Sequence, residues 1–300
     1  MSRKPSYDDA ANPVKVAHLR IAVLGLGRAG QALAREFADA GLNLTGLWNR
    51  SPRSIHPALI GVDVSTSSAP PEALIAKADV ILLAVHDSAI AELASSLNPS
   101  PGTVLLHLSG SMGSEALGPL PEGVEGGGYH PLQSFRIDGE PAFPVPSYHL
   151  ALDGSDKAVA VGRRLAAATG HPHVVLPPEG KAAYHAAAVM TSGCMAALLG
   201  TATDAMALAG VPEDQRWPLL WPLAAGTLAN LADGGFAASL TGPVARGDAA
   251  TSRRNLEALS QLPIAADLYR ALGQAALRFA EEQGLDSERL AATQEALKKV

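Results

Sequence analysis

The stretch that most constrains the fold is Leu19 to Gly30, LRIAVLGLGRAG. A branched apolar run, Ile21 to Leu24, feeds into a glycine-rich turn and then into the helix-compatible segment Gln31 to Ala40. Strand, glycine turn and helix in that order predict the opening βαβ unit of a dinucleotide-binding domain. Gly25 would permit the tight turn, Gly27 would let a pyrophosphate approach the backbone, and Gly30 would let helix and strand pack closely. The turn residues Leu26, Arg28 and Ala29 complete the predicted cradle, and the helix N-terminus offers N–H groups to phosphate.

The following segments alternate strand and helix. Leu42 to Trp48 reads as a second strand, Gly61 to Ser65 as a short third, and Pro71 to Lys77 as a helix opened by proline. Ala78 to Val85, ADVILLAV, is a continuous apolar run suited to a strand buried on both faces. Asp87 is expected to cap a helix over Ser88 to Leu97, and Thr103 to Leu108 forms the next strand. Strands at Glu125–Tyr129, Tyr148–Leu152 and His173–Leu176 and a helix at Asp156–Thr169 complete a doubly wound α/β sheet, a Rossmann-type fold.

After Pro177-Pro178 the pattern is helical only. A long Ala-rich helix from Glu179 to about Ala209 is expected, followed by Pro212 to Leu231, where Pro218 and Pro222 shift the start or kink it. Further helices start at Asp248, Pro263 and Asp286. The predicted organisation is a disordered tail at 1–18, a nucleotide domain at 19–177 and an all-α domain at 178–300 that binds substrate and pairs two copies. With 47% hydrophobic but only 4% aromatic residues, the apolar content favours close-packed helices.

The 300 residues carry a net charge of −6, which offers no electrostatic footprint for nucleic acid or an anionic membrane. One cysteine, Cys194, excludes a disulfide framework or a Cys-based zinc site within the chain, and its Ala-rich surroundings predict a buried small hydrophobe. No metal site is expected. The N-terminus lacks the apolar core of a secretory signal, and no run reaches the ~18 uninterrupted apolar residues of a membrane span. These features predict a cytoplasmic protein.

Cofactor choice is read at the end of the second strand. An Asp or Glu there selects NAD; this chain has Asn49, Arg50 and Ser51, with Arg53 close behind. Guanidinium groups pair with a 2′-phosphate that an acid would repel, so NADP(H) is predicted. Ala84, Val85 and His86 after the fourth strand, and Ser109 and Gly110 after the fifth, should run beside the ribose and nicotinamide. His86 reads equally well as a polar strand-end residue. His130, fixed by Pro131, and a stripe of Lys181, Tyr184, His185, Ala188 and Ser192 on one helix face are the chemical candidates. Desolvation in a cleft would make Lys181 a general acid toward a carbonyl, with His185 orienting substrate or supplying the proton. Arg246, in LTGPVARGD, reads either as a surface partner of Asp248 or as a carboxylate clamp.

Taken together, GLGRAG, NRS, ADVILLAV, HLSG, HPLQSF, YHAAAV and LTGPVARGD resemble a bacterial oxidoreductase family of undefined substrate, with a Rossmann-like NADP-binding domain and an all-helical C-terminal domain. The layout is more distantly similar to ketopantoate reductases, pyrroline-5-carboxylate reductases and β-hydroxyacid dehydrogenases. That resemblance implies NADPH-dependent reduction of a small 2-oxo acid, with Lys181 as proton donor, His130 and His185 positioning substrate, Arg246 on its carboxylate and Ser192 nearby. It departs from the lysine–asparagine pair of two of these families, having His185 one turn after Lys181. His130-Pro131 resembles the His-Pro motif of prephenate dehydrogenases, an oxidative alternative. A non-catalytic NADP-binding sensor is the third reading.

Overall fold

The computed structural model describes residues 18–59, 61–136 and 147–298. The predicted tail at 1–18 lies, apart from His18, outside the described residues. Compactness divides the chain at Val189/Met190 into two units.

The first unit is built on an eight-stranded sheet in the order β3-β2-β1-β4-β5-β6-β7-β8. Its strands are β1 Arg20–Leu24, β2 Asn43–Asn49, β3 Val64–Thr66, β4 Val80–Leu83, β5 Val104–His107, β6 Glu125–Pro131, β7 Leu150–Gly154 and β8 His173–Val175. The first six run parallel, β7 is antiparallel to β6, and β8 is parallel to β7. Helices α1 Arg28–Asp39, α2 Glu72–Lys77, α3 Ile90–Ser96, α4 Asp156–Thr169 and α5 Lys181–Val189 belong to the same unit.

Both sheet faces are covered, as the unbroken apolar strands require. On one face Leu33 and Phe37 of α1 and Leu165 of α4 pack with Ile21, Val23 and Tyr129. On the other, Ile75, Ile90 and Ala94 pack with Leu24, Ile81 and Leu105. Because β2 and β4 flank β1, strand order reverses there, which places a ligand crevice beyond the carboxyl ends of β1 and β4.

Strand β6 opens with Glu125 and then three glycines, and local packing explains each of the three. A Cβ on Gly126 would lie 2.4 Å from Leu117 Cδ1, one on Gly127 2.2 Å from the Asp153 carbonyl oxygen, and one on Gly128 2.2 Å from Asp153 Oδ2.

In the second unit the helices are α6 Met195–Ala205, α7 Glu213–Ser239, α8 Ala249–Ala258, α9 Pro263–Glu282 and α10 Ser287–Ala296. Its core gathers Val244, Leu256, Ala266, Leu277 and Leu297. Asp248 and Asp286 cap α8 and α10 through Thr251 and Arg289 N–H, and Pro263 opens α9, all as expected.

Several expectations need correction. The long helix expected from Glu179 does not run unbroken to Ala209: a π-turn, Met190–Cys194, interrupts it, and α6 ends at Ala205. α7 carries Pro218 and Pro222 in its interior, and its non-helical break falls at Gly235, where φ is +73° and only glycine is unstrained. Cys194 is exposed in the π-turn and is not the buried small hydrophobe expected from its Ala-rich surroundings. Asp87 does not cap the helix after β4; His86 Nδ1 accepts from Ser88 N–H instead, and the Asp87 carboxylate is used elsewhere. The helical run Pro178–Ala205 has a mean hydropathy of 1.4 over an 18-residue window, enough by length and composition to cross a membrane. Its first turn is nevertheless tied to the sheet through Lys181.

Candidate functional site

The glycine turn has the geometry its sequence predicts. Gly25 takes φ +105°, and a Cβ there would meet the Ala84 carbonyl oxygen at 2.3 Å. On Gly30 a Cβ would lie 2.0 Å from the Gly25 carbonyl oxygen, whereas one on Gly27 would meet nothing within 4 Å. Turn, close packing and open approach are thus divided among the three glycines as a bound pyrophosphate requires. Gly27 caps α1 without a side-chain hydrogen bond, and no acid occupies the first turn, so the N-terminal positive potential is unopposed there.

A cavity of about 500 Å³ opens beside this turn. Gly25 and Gly27, Asn49 to Ser51, Arg53 and Ala84 to His86 all line it. Asn49 Oδ1 accepts from Leu26 N–H at 2.9 Å and its Nδ2 donates to the Ser51 carbonyl at 2.6 Å, so this amide braces the turn. Leu26 is 1% exposed and packs in the core, and its N–H is already taken. Arg28 faces a different cavity.

Ser109 and Gly110 do not line the nucleotide cavity; they are held in a second network of the first unit. Ser109 Oγ donates to Asp87 Oδ2 at 2.8 Å, and Ser111 Oγ donates to the same oxygen at 3.0 Å. His107, fully buried, receives the Ser109 N–H on Nδ1 and lies 2.9 Å from the Gly113 carbonyl through Nε2. Both nitrogens are satisfied by one neutral tautomer, and burial holds the ring's pKa below its usual value.

Lys181 completes that network. Its side chain is 2% exposed, with Nζ 2.8 Å from Asp153 Oδ2 and donating to the Ser109 carbonyl at 3.1 Å. Among the described residues, Asp153 Oδ1 has no hydrogen-bond partner. A lysine enclosed in this way supports the loop after β5. Asp153 escaped sequence reading, although a lone carboxylate inside LALDG is the signal for a buried partner.

The groups that do converge are imidazoles and a phenol. His130 Nδ1 lies 2.9 Å from Tyr184 Oη, and the His130 ring stands edge-on to both Tyr184 and His185. A Cβ on Gly110 would lie 2.7 Å from both His130 Nε2 and His185 Nδ1, so the bare α-carbon of Gly110 is what admits the two rings. Burial, reinforced by the Lys181 and His185 charges, pushes the His130 pKa down to about 4; burial raises Tyr184 to about 12. At neutral pH His130 is an uncharged imidazole and Tyr184 keeps its O–H.

This has a stability consequence. An unfolded histidine binds its proton near pH 6.5, while folded His130 resists it until about 4. Between those values the unfolded state holds more protons, so stability falls as pH falls. Urea titrations should show a loss approaching ~1.4 kcal/mol per pH unit from this residue. The slope should be smaller by up to one proton in His130→Asn, and an unchanged slope would place the His130 pKa near its ordinary value.

Ser192 and Arg246 belong to the second unit. The π-turn that contains Ser192 adds a residue per turn, so the α-helical spacing that aligned it with Lys181 does not extend to it. Arg246 is exposed in the turn between Gly242 and Asp248, and its charge is one of several influences lowering the Asp248 pKa, the largest being the hydrogen bond with Thr251.

Fold and turn geometry define a Rossmann-like α/β protein with a helical C-terminal region. More particularly, residues 5–131 match the profile of a Rossmann-like domain, and residues 148–276 match a domain of unknown function, DUF2520. The chain is a Rossmann-like domain joined to a DUF2520 domain. No curated protein matches it. Among solved structures it is similar to a proposed NADP oxidoreductase from Bacteroides fragilis, at 20% identity over 87% of this chain and 98% of that one, with a TM-score of 0.67. A Thermotoga maritima protein is similar at 24% identity over 88% and 100%, TM-score 0.67. Pyrroline carboxylate reductase of Plasmodium falciparum, solved with NADP bound, is similar at 11% identity over 94% and 100%, TM-score 0.54.

Proposed function

We propose that the protein is an NADP(H)-dependent oxidoreductase that reduces a carbonyl-type group on a small molecule. The observation that carries this reading is the neutral His130, bonded to Tyr184 and set against Gly110 and His185, in the same unit as a glycine turn fit for a dinucleotide. Gly27 and the α1 N-terminus would receive the pyrophosphate, and Arg50, Ser51 and Arg53 the 2′-phosphate. NADPH bound there would supply hydride.

The chain's own residues then manage the proton. In the tautomer that accepts from Tyr184 O–H on Nδ1, His130 presents Nε2–H toward Gly110. Donation from Nε2 to a developing oxygen anion is matched by uptake of the Tyr184 proton on Nδ1, and half-exposed Tyr184 is reprotonated from water. Lys181 and Asp153 hold the Ser109 carbonyl and hence the loop beneath the rings. The substrate class that follows from the family resemblance is a 2-oxo acid such as ketopantoate, with Arg246 on its carboxylate, a role resting on the sequence alone. A second reading is favoured by the same neutral imidazole: His130 can equally accept a proton, which suits alcohol oxidation of the prephenate dehydrogenase kind.

Thermal shift with NADPH present and candidate acids added singly identifies the ligand, since binding to the folded form raises its stability. With that substrate, Tyr184→Phe and His130→Asn should each lower kcat by about 10²- to 10⁴-fold. Full turnover in both variants would remove these residues from the chemistry. NADPH binding with no turnover on any acid, in either direction, would favour the sensor reading. Pairing of two copies through the helical unit belongs to the same proposal: Leu219, Leu223 and Phe236 of α7 are 56%, 69% and 67% exposed. Sedimentation of the intact chain at monomer mass would overturn it.

A further inference from the structure

Asp87 is a half-buried carboxylate that the proton transfer described above does not use. It opens the turn Asp87–Ala89 at the end of β4, between His86 and Ala89, both of which line the nucleotide cavity. That turn is closed on itself: Ala89 N–H donates to the His86 carbonyl at 2.8 Å, and His86 Nδ1 accepts from Ser88 N–H at 3.4 Å. The Asp87 side chain reaches the loop after β5, where Ser109 Oγ and Ser111 Oγ both donate to Oδ2. Those two serines bracket Gly110, the residue against which the His130 and His185 rings rest.

Every polar group of Ser109 is engaged. Its N–H goes to His107 Nδ1, its carbonyl accepts from Lys181 Nζ, and its Oγ, besides donating to Asp87, accepts from the N–H groups of Ser111 and Met112. The first of these ties comes from β5 and the second from α5. Among the described residues, Asp87 supplies the tie that comes from the wall of the nucleotide cavity. Hydroxyl bonds to an ionised carboxylate are about twice as strong as neutral ones, and two of them on one oxygen hold both flanks of Gly110.

We propose that Asp87 is a positioning residue that fixes Gly110, and with it His130 and His185, at a set spacing from the nucleotide cavity. Its importance to turnover rests on the reductase reading above; the placement of the rings does not. Positioning and a bare charge effect have opposite signs at His130. Burial is the chief cause that holds the His130 pKa near 4, Lys181, His185 and His107 push the same way, and Asp87 pushes it up. Loss of the charge alone therefore lowers that pKa further, whereas loss of the shelf at Gly110 lets water reach the ring and raises it toward 6.5.

The test is a proton NMR titration of the intact chain without nucleotide, with the His130 resonance assigned by its absence in His130→Asn. In Asp87→Ala the His130 pKa is expected to rise. In Asp87→Asn, whose amide oxygen can take both hydroxyl bonds, it should not. Ser109→Ala combined with Ser111→Ala leaves the charge in place and should reproduce the rise; it also stands in for Asp87→Ala if melting curves show that variant unfolded. A fall or no change in Asp87→Ala, an equal rise in Asp87→Asn, or an unchanged His130 in the double serine variant overturns the proposal. With NADPH and the acid identified by thermal shift, Asp87→Ala should also lower kcat about 10²-fold, the scale of a ~1 Å misplacement, while the NADPH dissociation constant changes by less than about threefold. Unchanged kcat in a variant whose His130 has moved would remove Asp87 from the reaction. If the wild type turns over no acid, the reductase reading falls, and the titration still decides the placement of the rings.

Discussion

Replacing Lys181 with alanine is expected to cost about 3–5 kcal/mol of folding stability, because the Asp153 carboxylate would remain buried with no counter-charge. Against a typical total of about 5–15 kcal/mol, that leaves the chain near its unfolding midpoint at moderate urea. The double variant Lys181→Met with Asp153→Leu removes both charges and should recover most of the loss, since buried pairs are often replaceable by apolar residues of similar size. Urea denaturation of the three proteins decides the matter. Wild-type stability in Lys181→Ala would mean that the ion pair does not hold the loop after β5. If the double variant is stable yet turns over slowly, the pair's contribution lies in placing the Ser109 carbonyl, and through it Gly110, beneath the imidazoles.

Arg50→Ala combined with Arg53→Ala should raise the NADPH dissociation constant by about two orders of magnitude, two charge-assisted hydrogen bonds at ~1.5–3 kcal/mol each being lost with some solvent compensation. The NADH dissociation constant should change by less than about threefold, because the adenosine 2′-hydroxyl carries no charge for either arginine to read. Fluorescence titration with both nucleotides measures the contrast. Equal losses for the two would assign Arg50 and Arg53 a general role in shaping the cavity wall.

The contrast between these two predictions follows the line between what the sequence could and could not reveal. That Arg50 and Arg53 line the cavity beside the glycine turn was readable because the end of β2 lies a fixed number of residues past that turn. The alternation of strands and helices, the turn geometry of Gly25, Gly27 and Gly30, and the helix starts at Asp248 and Asp286 were readable for the same reason, each being set by residues close in sequence. The Asp153 partner of Lys181 was not readable because it lies 28 positions away on an antiparallel strand, and periodicity reports which side chains share a helix face without saying what that face meets. The convergence of His130 with Tyr184 and His185 depends on Gly110, which carries no side chain to advertise it. Asp87 followed the same pattern: its position suited a cap, but two serines more than 20 residues downstream claimed the carboxylate. The π-turn at Met190–Cys194 left no mark that a 3.6-residue pattern could carry.

The three glycines of β6 have a consequence for how this protein can vary. At Gly127 and Gly128 the smallest possible addition, one methyl group, collides with a backbone carbonyl or with the buried carboxylate, neither of which can step aside. Gly126 meets only the flexible end of a leucine and has more latitude. The strand that delivers His130 is therefore approached along a corridor where sequence change is closed off two residues before the histidine. In this chain, room for change around the imidazoles lies in the loop after β5 and the first turn of α5, while β6 between them is a thin rail with no space for side chains at Gly127 and Gly128.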